Sequence, residues 1–439
     1  MSGRERTEIE IPEICRVEGH SAVTVDMENG KVVDVKLEVF EGFRFFERIV
    51  VGHQFDEMPH VTSRICAICS TGHVLASIRA LEEICNYVPP AVEQQFRELM
   101  HLGMIIESHA THICALALPD FLHTPDLVEF ATKHQSEFAL WTRLRELGAS
   151  IQTVVGGRPF HPVNLHVGGL SHYPSKAELQ PLLTKLDRCA DDAVNLCKLL
   201  EGFNLPEASN VTPCFLALVP DGESYGYFGK EVISSAGWRE PISEYKKYLS
   251  ERAVGYSHSK RTLVDSKPFM VGAMARLFFF SERLGATARA LFEGSPLASK
   301  SANTLWNNFA QAIEIVEAIE RAISIIHTLL NNGEETRKFS GVKPTIRAGQ
   351  GVGAVECPRG TLYHSYKLDE KGVVLAADMI TPSVQNSAHI ELDIRTVAEL
   401  ECKTSAEQMR TTLETLVRAY DPCNTCATHM VKIRDQSLG

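Results

Sequence analysis

Between residues 21 and 40 apolar and polar positions alternate. Val23 and Val25 lead into Asn29-Gly30, and Val33, Val35, Leu37 and Val39 lead out. A period of two on either side of an Asn-Gly pair predicts a β-hairpin. From about residue 71 the period lengthens. Leu75, Ile78, Leu81 and Cys85 recur at helical spacing, and apolar-rich segments over 90–118, 127–154 and 177–202 predict long helices. The clearest helical pattern runs over 304–331. There Leu305, Phe309, Ala312, Val316, Ile319, Ile323, Ile326 and Leu330 share one face, and Gly333 follows as a stop. Such a face is read as core packing and nothing more. A strand pair is predicted over 361–379 around the turn Asp369-Glu370-Lys371-Gly372. The last helix, 405–420, opens with Ser405 and Gln408 at capping-box spacing and delivers the chain to Asp421-Pro422-Cys423. Without a linker, internal repeat or low-complexity stretch, residues 1–439 read as a single domain. Its expected class is mainly α with small β additions (α+β).

Composition narrows the function classes. With 44% hydrophobic and 23% charged residues, the 439-residue chain is ordinary globular protein. A formal charge of −11 argues against nucleic acid, which needs clustered Lys and Arg. No apolar run approaches the roughly 20 residues needed to span a bilayer. The N-terminus carries no signal-length apolar stretch, so the expected location is the cytoplasm, although a partner chain could carry an export signal for both.

Twelve cysteines are present. Cys15, Cys85, Cys114, Cys189, Cys197, Cys214, Cys357 and Cys402 stand singly and read as small buried apolar residues. Cys66/Cys69 and Cys423/Cys426 are different: each is a Cys-x-x-Cys pair, and two pairs supply four thiolates to one metal site. Zinc ribbons separate their pairs by roughly 15–20 residues. Here the pairs stand near opposite ends of the chain, so only the global fold can close the site. Spacing alone leaves structural zinc, an iron–sulfur cluster and another redox metal open. The neighbours favour reactive chemistry. His73 lies one helical turn beyond Cys69, Asp421 and Pro422 precede Cys423, and His429 follows Cys426 by three. Structural zinc needs none of them.

Five ordered segments resemble the motifs of the large subunit of [NiFe]-hydrogenases. Arg64-Ile65-Cys66-Ala67-Ile68-Cys69-Ser70-Thr71-Gly72-His73 and Asp421-Pro422-Cys423-Asn424-Thr425-Cys426-Ala427-Thr428-His429 resemble the two cysteine signatures. Arg16-Val17-Glu18-Gly19-His20 resembles the RxEGH motif. Glu356 to His364, containing Pro358-Arg359-Gly360, resembles APRGxLxH, and Thr381-Pro382-Ser383-Val384-Gln385-Asn386 resembles TPTxxN. Gly156 to Pro162 and Ser108 to Asp120 also fit. The likeness spans nearly the whole chain and fits the cytoplasmic, cofactor-coupled members best.

The resemblance implies a nickel held by all four cysteines, with an iron carrying CO and cyanide bridged by two of them. Cys66 and Cys423 would be terminal, Cys69 and Cys426 bridging. Dihydrogen would be split heterolytically, with Cys423 taking a proton and passing it to Glu18. Arg359 would place its guanidinium over the open position, fixed by Asp120 and Asp421, next to Pro358. His73 would donate to Cys426, and Ser383 would hydrogen-bond a cyanide. Glu47 and His429 match ligands of a second ion, magnesium or iron. His20, His109, His112, His161 and His364 read as structural hydrogen-bonders. The resemblance further implies an iron–sulfur small subunit, further electron-transfer subunits, and a maturation endopeptidase that removes residues 430–439 after His429. Two rival readings keep the fold: a dihydrogen sensor with the same ligands, and the quinone-site subunit of complex I, whose counterpart normally lacks the four cysteines. Three positions depart from the pattern: Ala67 and Phe45 stand where Gly is usual, and Cys357 where Ala is.

Overall fold

The computed structural model describes residues 6–124, 126–209, 212–299, 302–331 and 344–428. At the N-terminus β1 (Arg6–Ile11), β2 (Ser21–Glu28) and β3 (Lys31–Val39) form an antiparallel sheet in that order. Asn29 and Gly30 both take positive φ, 51° and 74°, as a two-residue hairpin turn requires. β1 is an addition to the expected hairpin. It pairs along β2 from Arg6↔Glu28 to Ile11↔Val23, and Val23 and Val25 face the core.

The helical body comprises α1 (Ser70–Cys85), α2 (Ala91–Thr111), α3 (Gln135–Gly156), α4 (Lys176–Glu201) and α5 (Asn307–Asn331). Beyond Thr111, α2 runs on through a π-helical turn, His112–Ala117, into Leu118–Phe121. α2 and α3 cross closely because glycines meet there: a Cβ on Gly148 would lie 2.5 Å from the Gly103 carbonyl oxygen. The single helix expected over 127–154 is in fact two. Leu127–Lys133, capped by the Asp126 side chain, ends at His134, whose φ/ψ of −121°/57° leave the helix before α3 begins. Apolar residues continue across the break, so periodicity carries no mark of it. The expected apolar face of α5 is buried except at Ile323 and Leu330, which are half-buried, whereas Gly333 lies outside the described residues. Asn307, Asn308, Gln311, Glu314 and Glu317 on the same helix are buried too, which the apolar pattern does not foretell.

The C-terminal sheet is β4 (Gly349–Cys357), β5 (Gly360–Leu368) and β6 (Val374–Ile380), antiparallel in that order. β4 was not expected. Its glycines let the strand lie directly on α1: a Cβ at Gly353 would stand 2.3 Å from Ala76 O, and one at Gly351 2.4 Å from Ala80 O. The β4–β5 turn presents Pro358 and Arg359 between paired Cys357 and Gly360. α6 (Pro382–Leu400) and α7 (Ala406–Ala419) follow, and Ser405 Oγ caps α7 by accepting from Gln408 N at 3.2 Å. The chain then returns through Asp421 to a short helix, Asn424–Ala427. The Glu18 segment runs parallel beside it: Asn424 N donates to Glu18 O at 2.9 Å. Thus the start of α1, the β4–β5 turn, the start of α6 and both terminal segments meet at one buried point. Among the described residues no helix is long and apolar enough to cross a membrane.

Candidate metal centre

Cys66 leaves a 3₁₀ turn, Ser63–Ile65, in extended conformation, and Cys69 is the N-cap of α1. Cys423 caps the short helix that contains Cys426. The two tight turns therefore face one another, and the four buried sulfurs lie within 4.8 Å of each other. Sγ–Sγ distances are 3.5 Å for Cys66–Cys423, 3.2 Å for Cys69–Cys426 and 3.0 Å for Cys423–Cys426. Four thiolates this close repel too strongly to ionise together unless a cation compensates them. Deprotonated thiolates are the form that binds metal. No other group of His, Cys, Asp and Glu among the described residues gathers its ligand atoms this way.

A small cavity opens beside the quartet, lined by Cys69, Cys423 and Cys426 together with His73, Cys357, Pro358, Arg359 and Ser383. Arg359 is clamped on two edges: Nε donates to Asp421 O at 2.6 Å and Nη2 to Asp421 Oδ1 at 2.7 Å. Asp421 adopts φ 51° to present both oxygens. The remaining nitrogen, Nη1, is buried without a hydrogen-bond partner among the described residues. Buried donors are nearly always satisfied, so an unanswered guanidinium N–H beside four sulfurs calls for a ligand there.

Glu18 closes another side. Its Oε2 accepts from Cys423 Sγ at 3.0 Å, and Thr425 grips the carboxyl from N at 3.1 Å and Oγ1 at 2.5 Å. Burial, then the neighbouring Cys423 sulfur, pushes this carboxyl up to about 8. His73 Nε2 lies 3.7 Å from Cys426 Sγ, and its Nδ1 faces His364 Nε2 at 3.0 Å. His364 Nδ1 in turn meets Tyr366 OH at 2.8 Å. Ser383 Oγ accepts from Cys423 N at 2.9 Å.

Other expected residues lie further out. Asp120 was expected on Arg359; instead its Oδ2 accepts from Arg418 Nη1 at 2.6 Å, and Oδ1 pairs with Arg16. Two arginines nearer to it take both oxygens. Glu47 is buried on the short helix Phe46–Ile49 and accepts from Met379 N at 2.8 Å, while His429 lies outside the described residues. Phe45, at φ 51°, holds the left-handed backbone for which Gly is the easier residue. Cys357 fits only because position 72 is Gly: a Cβ there would sit 2.2 Å from its sulfur.

Two residues that sequence reasoning passed over belong to the site's frame. Thr425 fixes Glu18, as above. Arg44 spans both cysteine turns, donating to Ile65 O at 2.6 Å and to the Thr425 carbonyl. Only their places, inside one signature and inside the Glu47 segment, could have flagged them.

The donor set fits a nickel–iron centre: four soft sulfurs, one unanswered cationic N–H, and polar side chains around a small cavity. Comparison with known proteins agrees. The nickel-dependent hydrogenase family profile matches residues 44–143 and 237–429, and a HoxL-like profile matches 8–41. Sulfhydrogenase 1 subunit alpha of Pyrococcus furiosus is 34% identical, over 97% of this chain and 98% of its own. Sulfhydrogenase 2 subunit alpha of the same organism is 34% identical, over 97% and 100%. A crystal structure of NAD+-reducing [NiFe]-hydrogenase in the H2-reduced state, 26% identical, superposes with a TM-score of 0.87 over 96% of this chain and 99% of that one. With family profile, full-length relatives, fold and thiolate quartet in agreement, the chain belongs to the nickel-dependent hydrogenase family, as a [NiFe]-hydrogenase large subunit.

Proposed function

We propose that this subunit cleaves dihydrogen reversibly and heterolytically, with Cys423 and Glu18 as the proton pair. The observation that carries this is the 3.0 Å contact between Cys423 Sγ and Glu18 Oε2. Cys66, Cys69, Cys423 and Cys426 would hold the nickel–iron centre, Cys66 and Cys423 as ligands of nickel alone and Cys69 and Cys426 as ligands shared with iron. When bound, the nickel–iron centre supplies an open coordination position and an electron sink that polarise dihydrogen.

The chain's own residues supply the rest. Cys423 Sγ takes a proton and passes it to Glu18 Oε2, which Thr425 holds in line. A carboxyl raised by burial towards neutrality is suited to taking and returning a proton. Arg359 lines the cavity with Nη1 free of any partner among the described residues, and a fixed positive charge there stabilises developing negative charge. His73 would donate to the Cys426 sulfur, and Ser383 would hydrogen-bond a cyanide on the iron, which would also carry CO. Glu47 and His429 would hold a second ion, magnesium or iron.

Each dihydrogen yields two protons and two electrons. The described residues outside the quartet offer no second metal cluster for electron relay. The subunit therefore works with an iron–sulfur small subunit and further electron-transfer subunits, as the word "alpha" in its relatives' names suggests. We place the complex in the cytoplasm, with residues 430–439 removed by a maturation endopeptidase. Metal analysis and infrared spectroscopy of the purified complex test the reading. One nickel per chain, with infrared bands from CO and cyanide, is expected; zinc in the quartet without nickel would refute it.

A further inference from the structure

We propose that one turn of α5 positions Arg359 from both sides, Glu314 acting through Arg276 and Gln311 acting through Asp421. The proposal rests on the functional reading above and deepens it.

The first side is the turn that carries Arg359. Carbonyls of the two preceding residues, Cys357 and Pro358, accept from Arg276 Nη1 and Nη2 at 3.0 and 3.2 Å. Arg276 is held in turn. Its Nε and Nη2 donate to Glu314 Oε1 and Oε2, both at 2.6 Å, and its Nη1 donates to Glu356 Oε2 at 2.8 Å. His109 Nε2 and Tyr225 OH complete the shell of Glu314, which is fully buried. Replacing a buried ion network by apolar residues is often neutral or stabilising, so such a network is a weak device for stability alone. Its distinctive product is geometric: it fixes two backbone carbonyls next to Arg359.

The second side is the clamp on the guanidinium. Gln311, three residues before Glu314 and on the same face of α5, donates from Nε2 to Asp421 Oδ2 at 3.3 Å. The Asp421 carboxylate can only accept, so it takes the amide nitrogen, and Gln311 Oε1 lies 2.5 Å from His112 Nδ1. Asp421 Oδ1 and main-chain O then receive Arg359 Nη2 and Nε. Backbone and head group of Arg359 are thus referred to a single helical turn, and only Nη1 is left to face the cavity. Gln311, Glu314 and Arg276 touch neither the sulfurs nor the cavity; they are positioning residues.

Misplacing a catalytic group by about 1 Å can cost on the order of 100-fold in rate. The test uses the Gln311→Met enzyme in its full complex. Nickel content should equal wild type, the crystal structure should show the Arg359 guanidinium displaced, and kcat should fall about tenfold or more. In an Arg359→Lys background the same substitution should add little, because its target is already gone. An unmoved guanidinium with wild-type kcat would overturn the proposal, as would an equal fold-loss in both backgrounds. If Gln311→Met fails to load nickel, the shorter amide in Gln311→Asn takes its place; loss of nickel in both variants would show that the turn holds the fold rather than the guanidinium. A wild-type complex lacking nickel and turnover would instead refute the functional reading itself.

Discussion

Cys423→Ser is expected to leave no measurable dihydrogen turnover, a loss of at least about 10⁴-fold. Its sulfur joins the quartet to Glu18, lying 3.5 Å from Cys66 Sγ, 3.0 Å from Cys426 Sγ and 3.0 Å from Glu18 Oε2. Serine keeps the size of the side chain but changes two properties together. Oxygen is a hard donor poorly matched to a redox metal that soft thiolates suit. Its proton is also held far more tightly than that of a thiol, so it cannot serve as the first proton carrier at neutral pH. Nickel analysis alongside dye-linked dihydrogen oxidation checks this. Activity within tenfold of wild type would remove Cys423 from both roles.

The second large effect is Glu18→Gln. The amide matches the carboxyl in shape and retains an oxygen for Thr425, so nickel and iron contents should not change. What disappears is a titratable oxygen 3.0 Å from Cys423 Sγ. General acid–base steps contribute typically 10²–10⁴-fold, and turnover together with hydrogen–deuterium exchange should fall by that order. The two assays are informative together. If the block is at proton transfer, exchange with solvent is lost even where the metals are complete. A Glu18→Gln enzyme with full exchange would show that protons leave by another group.

How far the sequence could be read depended on where each residue's partners lie. Asn29-Gly30 set the hairpin because both residues of that turn are local, and the Cys-x-x-Cys spacings announced paired thiolates for the same reason. The meeting of the two pairs is a property of the whole chain, yet ordered motifs along its length indicated it. What escaped detection was contact-driven. β4 reads as loop because Gly349, Gly351 and Gly353 suggest flexibility, whereas two of them are demanded by the closeness of α1. The apolar pattern of α5 says nothing of its polar side, where Gln311 and Glu314 meet Asp421 and Arg276, partners remote in sequence. Asp120 resembled an Arg359 partner by motif, and the folded chain brings Arg16 and Arg418 to it first. Thr425 carries no signal of its own in the sequence, because its partner Glu18 comes alongside only in the fold.

The pairs Cys66/Cys69 and Cys423/Cys426 look alike in sequence, yet as proposed above their members are chemically unequal. Anomalous X-ray diffraction from the complete enzyme, recorded at the nickel and iron edges, tests that inequality most directly. The predicted result is nickel bonded to all four sulfurs and iron bonded only to those of Cys69 and Cys426. Iron on Cys66 or Cys423, or a lone zinc at the centre of the quartet, would contradict it.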